Sequence, residues 1–139
     1  MHRKNQQRIL ILGGSSFVGR HLNERLGSNA CMATFNTSPF EGGQLFDSLT
    51  MRLNEIIVSP LNFSHAVILL GDTQPDSCVA NPKLSQALNV DSIGSIFIQL
   101  KEMGIKPIFT STEFVFDGEK GEYEETDQAC YFCYNFHRI

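Results

Sequence analysis

The 139-residue sequence has no long apolar run. Its longest aliphatic stretch is the five residues 66–70, against the ~20 apolar residues that a membrane-spanning helix requires, so no membrane segment is expected. Residues 1–8 carry charge and lead straight into a strand-like segment, without the apolar stretch and small-residue cleavage site of a secretory signal. A cytoplasmic location is the expectation. Positive charge is also scarce: 11 Lys and Arg stand against 15 Asp and Glu, a formal net charge of −4. The acidic excess gathers in Glu113, Asp117, Glu119, Glu122, Glu124, Glu125 and Asp127, and a nucleic-acid partner is not expected of such a chain. There are four cysteines; Cys31 and Cys78 are expected near buried strands, acting as small hydrophobes rather than forming disulfides. Repeats, low-complexity tracts and interdomain linkers are absent as well. One domain is therefore expected over residues 1–128, followed by a divergent tail, 129–139.

What is present is an alternation of strand-like and helix-like segments. Residues 8–13 form a short apolar run closed by glycine, the pattern of a strand buried on both faces. Val18, Leu22 and Leu26 then recur at helical spacing, with Gly27 as a stop. Residues 31–35 read as a second strand, Leu45 and Phe46 as a short third, and 66–70 as a fourth. Between the third and fourth, Leu49, Leu53, Ile56 and Ile57 stand at roughly helical spacing. The longest helix is expected from Pro82 to Met103, ended by Gly104, with a fifth strand over residues 107–111. Such alternation predicts an α/β fold, a Rossmann-like doubly wound parallel sheet with strand order 3-2-1-4-5.

Between the first strand and its helix lies Gly13-Gly14-Ser15-Ser16-Phe17-Val18-Gly19. A turn in this place presents free backbone N–H groups and the positive end of a helix dipole, which together favour an anionic pyrophosphate. Gly13 permits the tight turn and Gly19 close packing of helix on strand, while Ser16 stands where a glycine would allow the closest backbone approach. A ligand-free glycine-rich turn is the alternative reading of the same residues. An acid for the ribose hydroxyls usually follows about twenty residues on, but the second strand here ends Phe35-Asn36-Thr37-Ser38. Asn36 can serve a 2′-hydroxyl, and Thr37 or Ser38 a 2′-phosphate, so the cofactor is NAD or NADP, with NADPH slightly favoured.

The spacing GxxSxxG, then Phe46-Asp47, then Ala87-Leu88-Asn89-Val90, resembles an extended short-chain dehydrogenase/reductase. The segment STEFVFDG at 111–118, followed by Tyr123-Glu124-Glu125-Thr126-Asp127, is similar to signatures of the dTDP-4-dehydrorhamnose reductase group. The resemblance covers residues 8 to about 128. It implies that Asp47, with Ser48, lies at the adenine end of the cofactor and that Gly71 and Asp72 line it. It also implies that Asn89 supports a proton relay and that Thr112 hydrogen-bonds the carbonyl oxygen of the substrate, a nucleotide-activated 4-keto-sugar. Bland alternatives remain for each: Asp47 as a helix cap, Asn89 as an exposed helix residue, Thr112 as an ordinary strand residue.

That resemblance stops after Ala129. The family's tyrosine and lysine, spaced YxxxK, are replaced by a stretch in which Tyr134 and Arg138 have the spacing but Tyr134 falls about one residue early. Arginine differs from lysine in acidity and shape. The pattern suggests a fold truncated before the substrate domain, or a shifted reading frame. Cys130 and Cys133 form a lone CxxC with His137 nearby, too few ligands for a closed zinc site, and no metal is expected. Without a covering element, the fifth strand would lie at a sheet edge, which predicts self-association. Three functions follow: a reductase of nucleotide-activated keto-sugars, with an epimerase or dehydratase as its near relative; a non-catalytic cofactor-binding module resembling the regulatory-subunit branch of the superfamily, that of methionine adenosyltransferase; or an inactive fragment.

Overall fold

A computed structural model describes residues 7–110 and 116–128. The chain divides into two compact units, one built from residues 1–70 and 92–110, the other from 71–91 and 111–139. The first holds a parallel sheet of five strands: β1 (Arg8–Leu12), β2 (Cys31–Phe35), β3 (Gln44–Leu45), β4 (Phe63–Ile68) and β5 (Lys106–Phe109). Their order is β3-β2-β1-β4-β5, as the alternation of segments predicts. β1 lies at the centre, with Leu10 beside Met32 of β2 and Ala66 of β4.

The unbroken apolar character of β1 follows from that position. Leu10, Ile11 and Leu12 are all fully buried, and each contributes roughly 1.5–3 kcal/mol relative to exposure. Because side chains alternate across a strand, Leu10 and Leu12 pack on one face with Phe46, Leu53, Ile68, Ile96 and Leu100, while Ile11 packs on the other with Cys31, Ala33 and Leu22. Leu22 belongs to α1 (Phe17–Leu26), capped by Ser16 and ended at Gly27, whose φ of 78 suits a residue without a side chain. On the opposite face, α4 (Ser92–Met103) buries Ile93, Ile96 and Leu100, the i, i+3, i+7 spacing of an amphipathic helix.

Several expectations need correction. Residues 49–57 form no α-helix; they hold a turn and a single 3-10 turn at Leu53–Glu55. Asp47 captures the Leu49 amide at 3.0 Å and the Thr50 hydroxyl at 2.9 Å, and the buried Leu53 gives its N–H to the side chain of Gln99 at 2.8 Å. The apolar spacing there reflects a packed loop. β4 begins three residues earlier than its apolar run, because Phe63 is buried, and Leu69 bonds Leu12 from just beyond it, N–H to carbonyl, at 2.9 Å. β5 is likewise shifted to Lys106–Phe109.

In the second unit, α2 (Pro75–Ala80) and α3 (Pro82–Gln86) are followed by a π-helical segment, Ala87–Asp91. The long helix expected from Pro82 is thus three consecutive elements, α3, the π segment and α4. Cys78 is buried in α2. Cys31 does lie in β2, where burial pushes its thiol pKa up against the opposing pull of Arg8. Among the described residues no helix is long and apolar enough to cross a membrane.

Candidate functional site

The glycine turn leaves the carboxyl end of β1, the central strand, which fixes its starting point. Gly13 has φ +91, and a Cβ there would stand 2.6 Å from the carbonyl oxygen of Leu69. A Cβ on Gly14 would meet Ala33 at 2.7 Å, and one on Gly19 would meet the Gly13 carbonyl at 2.3 Å. All three positions require glycine, for a positive φ in one case and for close backbone packing in the other two. Ser16 does not obstruct the turn. Its hydroxyl donates to the Gly13 carbonyl at 2.7 Å and accepts the Gly19 N–H at 3.1 Å, so it caps α1 and points inward.

What remains open is the row of donors at the start of the helix. No described residue accepts a hydrogen bond from the N–H of Ser15, Phe17 or Val18, while Phe17 and Val18 are exposed. Unpaired amides at a helix N-terminus, reinforced by the dipole, are suited to an anion. Arg20 adds a cation beside them, its Nε donating to the Ser15 carbonyl at 3.0 Å.

Asn36 lies exposed in the bend after β2 and makes no side-chain hydrogen bond among the described residues. Asp47 is half-buried just after β3 and holds the turn described above with both carboxylate oxygens; Ser48 lies within that turn. Asp47 therefore fastens a turn rather than capping a helix, since no α-helix begins near Leu49. Thr34, which the sequence reading passed over, is buried in β2 and accepts the Gly13 N–H at 3.1 Å. A hydroxyl within the apolar run Cys-Met-Ala-Thr-Phe was the available signal.

In the second unit, Asn89 in the π segment uses its whole side chain on the loop after β4. Its Oδ1 accepts the Asp72 N–H at 2.8 Å, and its Nδ2 donates to the Asp72 carbonyl at 2.9 Å and to Ser85 Oγ at 3.3 Å. Gly71 has φ +130, and a Cβ there would stand 2.8 Å from Asn89 Oδ1. The carboxylate of Asp72 accepts from the Ser77 hydroxyl and the Gln74 amide, which hold its pKa below the usual range. Asn89 is thus neither exposed nor idle. The widened π turn brings it within reach of that loop.

Residues 116–128 tie themselves together. Tyr123 stacks on Phe116 with ring centroids 4.5 Å apart, donates its hydroxyl proton to Asp117 and accepts the Lys120 N–H at 2.9 Å. Lys120 Nζ in turn bonds both oxygens of Asp127, at 2.7 and 2.8 Å. These bonds hold the Asp117 and Asp127 pKa values down, and the Asp117 partner pushes that of Tyr123 up. The Y-x-E-x-D stretch is here a fastened loop, which its acidic composition did not foretell. Thr112, Tyr134, Arg138, Cys130, Cys133 and His137 lie outside the described residues. Among those described, no group of three or more His, Cys, Asp or Glu is placed to hold a metal.

A five-stranded parallel sheet of order 3-2-1-4-5, with its glycine turn at the end of the central strand, defines a Rossmann-like α/β domain. The chain belongs to the RmlD substrate binding domain family, whose model matches residues 7–131. A hypothetical dTDP-4-dehydrorhamnose reductase from Sulfolobus tokodaii superposes with a TM-score of 0.81 at 26% identity, over 95% of this chain and 49% of that one. The dTDP-4-dehydrorhamnose reductase of Bacillus anthracis, in complex with NADP, superposes with a TM-score of 0.74 at 20% identity, over 96% of this chain and 46% of that one, and shares the fold. Among curated proteins, methionine adenosyltransferase 2 subunit beta of Bos taurus is 27% identical over 126 residues, 87% of this chain and 37% of its own length. The chain thus spans between about a third and a half of these relatives.

Proposed function

We propose that this chain binds a nicotinamide dinucleotide by its pyrophosphate and is the cofactor-binding part of a reductase of nucleotide-activated 4-keto-sugars. The observation that carries the reading is the set of open amides at Ser15, Phe17 and Val18, framed by glycines whose Cβ positions neighbouring atoms already occupy. A dinucleotide's linker fits that cradle. Asn36, Thr37 and Ser38 would receive the adenosine ribose, and the absence of a carboxylate there favours NADP over NAD. Asp47 keeps unused lone pairs for the adenine side, and Gly71 and Asp72 would line the cofactor further along. When bound, the nicotinamide supplies hydride to a carbonyl. Thr112 would hold that carbonyl oxygen, with Asn89 supporting the relay through the loop it pins and Tyr134 as the proton donor.

With this reading go a cytoplasmic location, a functional boundary between residues 128 and 129, and self-association through β5. Ile108 and Phe109 of that strand are exposed, beside a cavity of about 520 Å³ lined by Phe97, Ile98 and Pro107. Lys106 and Pro107 are edge-blunting residues, so association belongs to concentrated solutions, and light scattering across a concentration series tests it. For the main reading, NADPH oxidation is followed with a dTDP-4-keto-sugar. Turnover that falls on Thr112→Val supports the reductase; binding without turnover leaves the cofactor half of the proposal standing alone.

The second reading, a regulatory module acting through a partner, is favoured by the likeness to methionine adenosyltransferase 2 subunit beta. It needs the dinucleotide cradle but no tyrosine donor. Addition of the chain to a methionine adenosyltransferase catalytic subunit should then shift its KM or stability, and Gly13→Asp should remove the effect.

A further inference from the structure

We infer that Thr34 is a positioning residue for the glycine turn: through Gly13 it sets which amides face the ligand. This rests on the dinucleotide reading above. Thr34 is 1% exposed, in a strand whose neighbours Ala33 and Cys31 are apolar. A buried hydroxyl without a partner is costly, and valine has the same shape and suits a strand equally well. The hydroxyl's partner is the Gly13 N–H at 3.1 Å.

The Gly13 carbonyl is also engaged, by Ser16 N–H at 3.1 Å and by Ser16 Oγ at 2.7 Å. Both polar groups of this residue are therefore occupied, one by β2 and one by the helix cap. Leu69, just beyond β4, closes the remaining side. Gly13 is a fixed post held between β2 and β4, and its N–H is withdrawn from the ligand. The chain then rises over Gly14, whose absent side chain would meet Ala33 and the Thr34 carbonyl, and presents Ser15, Phe17 and Val18. Thr34 thus acts on binding without touching the ligand. Loss of its hydroxyl would free the Gly13 amide, relax the positive φ and misalign the donors that follow.

Thr34→Val and Thr34→Ser separate this role from simple packing, because the two roles order the variants oppositely. Positioning predicts NADPH affinity near the native value for the serine variant and roughly tenfold weaker for the valine variant. It also predicts faster hydrogen exchange at Gly13 in the valine variant only, with the β1 and β2 amides unchanged. Packing predicts the reverse, with valine native-like in affinity and melting temperature and serine the weaker of the two. Valine binding as tightly as the native protein, or unaltered exchange at Gly13, overturns the inference. If the native protein binds no dinucleotide, the functional reading fails separately, while the exchange at Gly13 still decides the part played by Thr34.

Discussion

Two glycine-led turns follow neighbouring strands of the sheet, and they are finished in opposite ways. After β1, Gly13 is locked on both its polar groups while the amides of Ser15, Phe17 and Val18 stay open. After β4, the N–H and carbonyl of Asp72 are both taken by Asn89, and the Asp72 carboxylate by Ser77 and Gln74. Each glycine has a positive φ, +91 at Gly13 and +130 at Gly71, which other residues rarely adopt. The first turn thus spends the backbone of its glycine and leaves the amides after it open, whereas the second spends the backbone of Asp72, the residue after its glycine. Two turns alike in glycine can therefore differ in which of their backbone groups are already bonded.

That contrast can be broken in order of severity. Gly19→Ala should have the largest effect, because the Gly13 carbonyl already occupies the Cβ position at 2.3 Å. A loss of about 2–4 kcal/mol of stability, together with dinucleotide binding, is expected, read by denaturant unfolding and titration. Native-like binding would show that the helix need not approach the strand so closely. Next comes Asn89→Leu, which leaves both backbone groups of Asp72 without their partner. It should cost about 1–3 kcal/mol and release the Asp72 amide to hydrogen exchange, while the amides of β1 keep their protection.

A smaller effect is expected in residues 116–128. Asp117 and Asp127 have depressed pKa values in the folded loop, so their contribution is present above the ordinary carboxylate range near pH ~3.9. It is lost as pH falls through the lower folded values. Acid titration followed by the Tyr123 ring resonances should show the loop loosening below that range. Asp117→Asn should also bring the raised Tyr123 pKa down toward about 10; an unchanged titration would mean that the Tyr123–Asp117 bond does not persist in solution. Smallest is Phe17→Ala. With Phe17 79% exposed, stability should move by no more than about 0.5 kcal/mol.

Legibility in the sequence tracked how local each determinant was. β1, α1 and the strand order could be read because an unbroken apolar run means burial on both faces and because glycine ends both the strand and the helix. Residues 49–57 misled because Leu53 and Ile57 are buried at helical spacing while Asp47 and Gln99, one of them 46 residues away, take the backbone donors. Burial periodicity does not see such partners. Asn89 was singled out by the family resemblance alone, and its grip on Asp72 comes from a π segment that leaves no signature in composition. Thr34 was missed for a related reason: a threonine is at home in any strand, and only the placement of Gly13 beside it gives the hydroxyl a task.

The most direct test of the dinucleotide cradle is a titration of the isotopically labelled chain with NADPH, following backbone amide resonances. The account predicts that Ser15, Phe17 and Val18 shift most, with Gly13 moving little because its N–H is already bonded to Thr34. Shifts centred elsewhere, or none at millimolar NADPH, would contradict it.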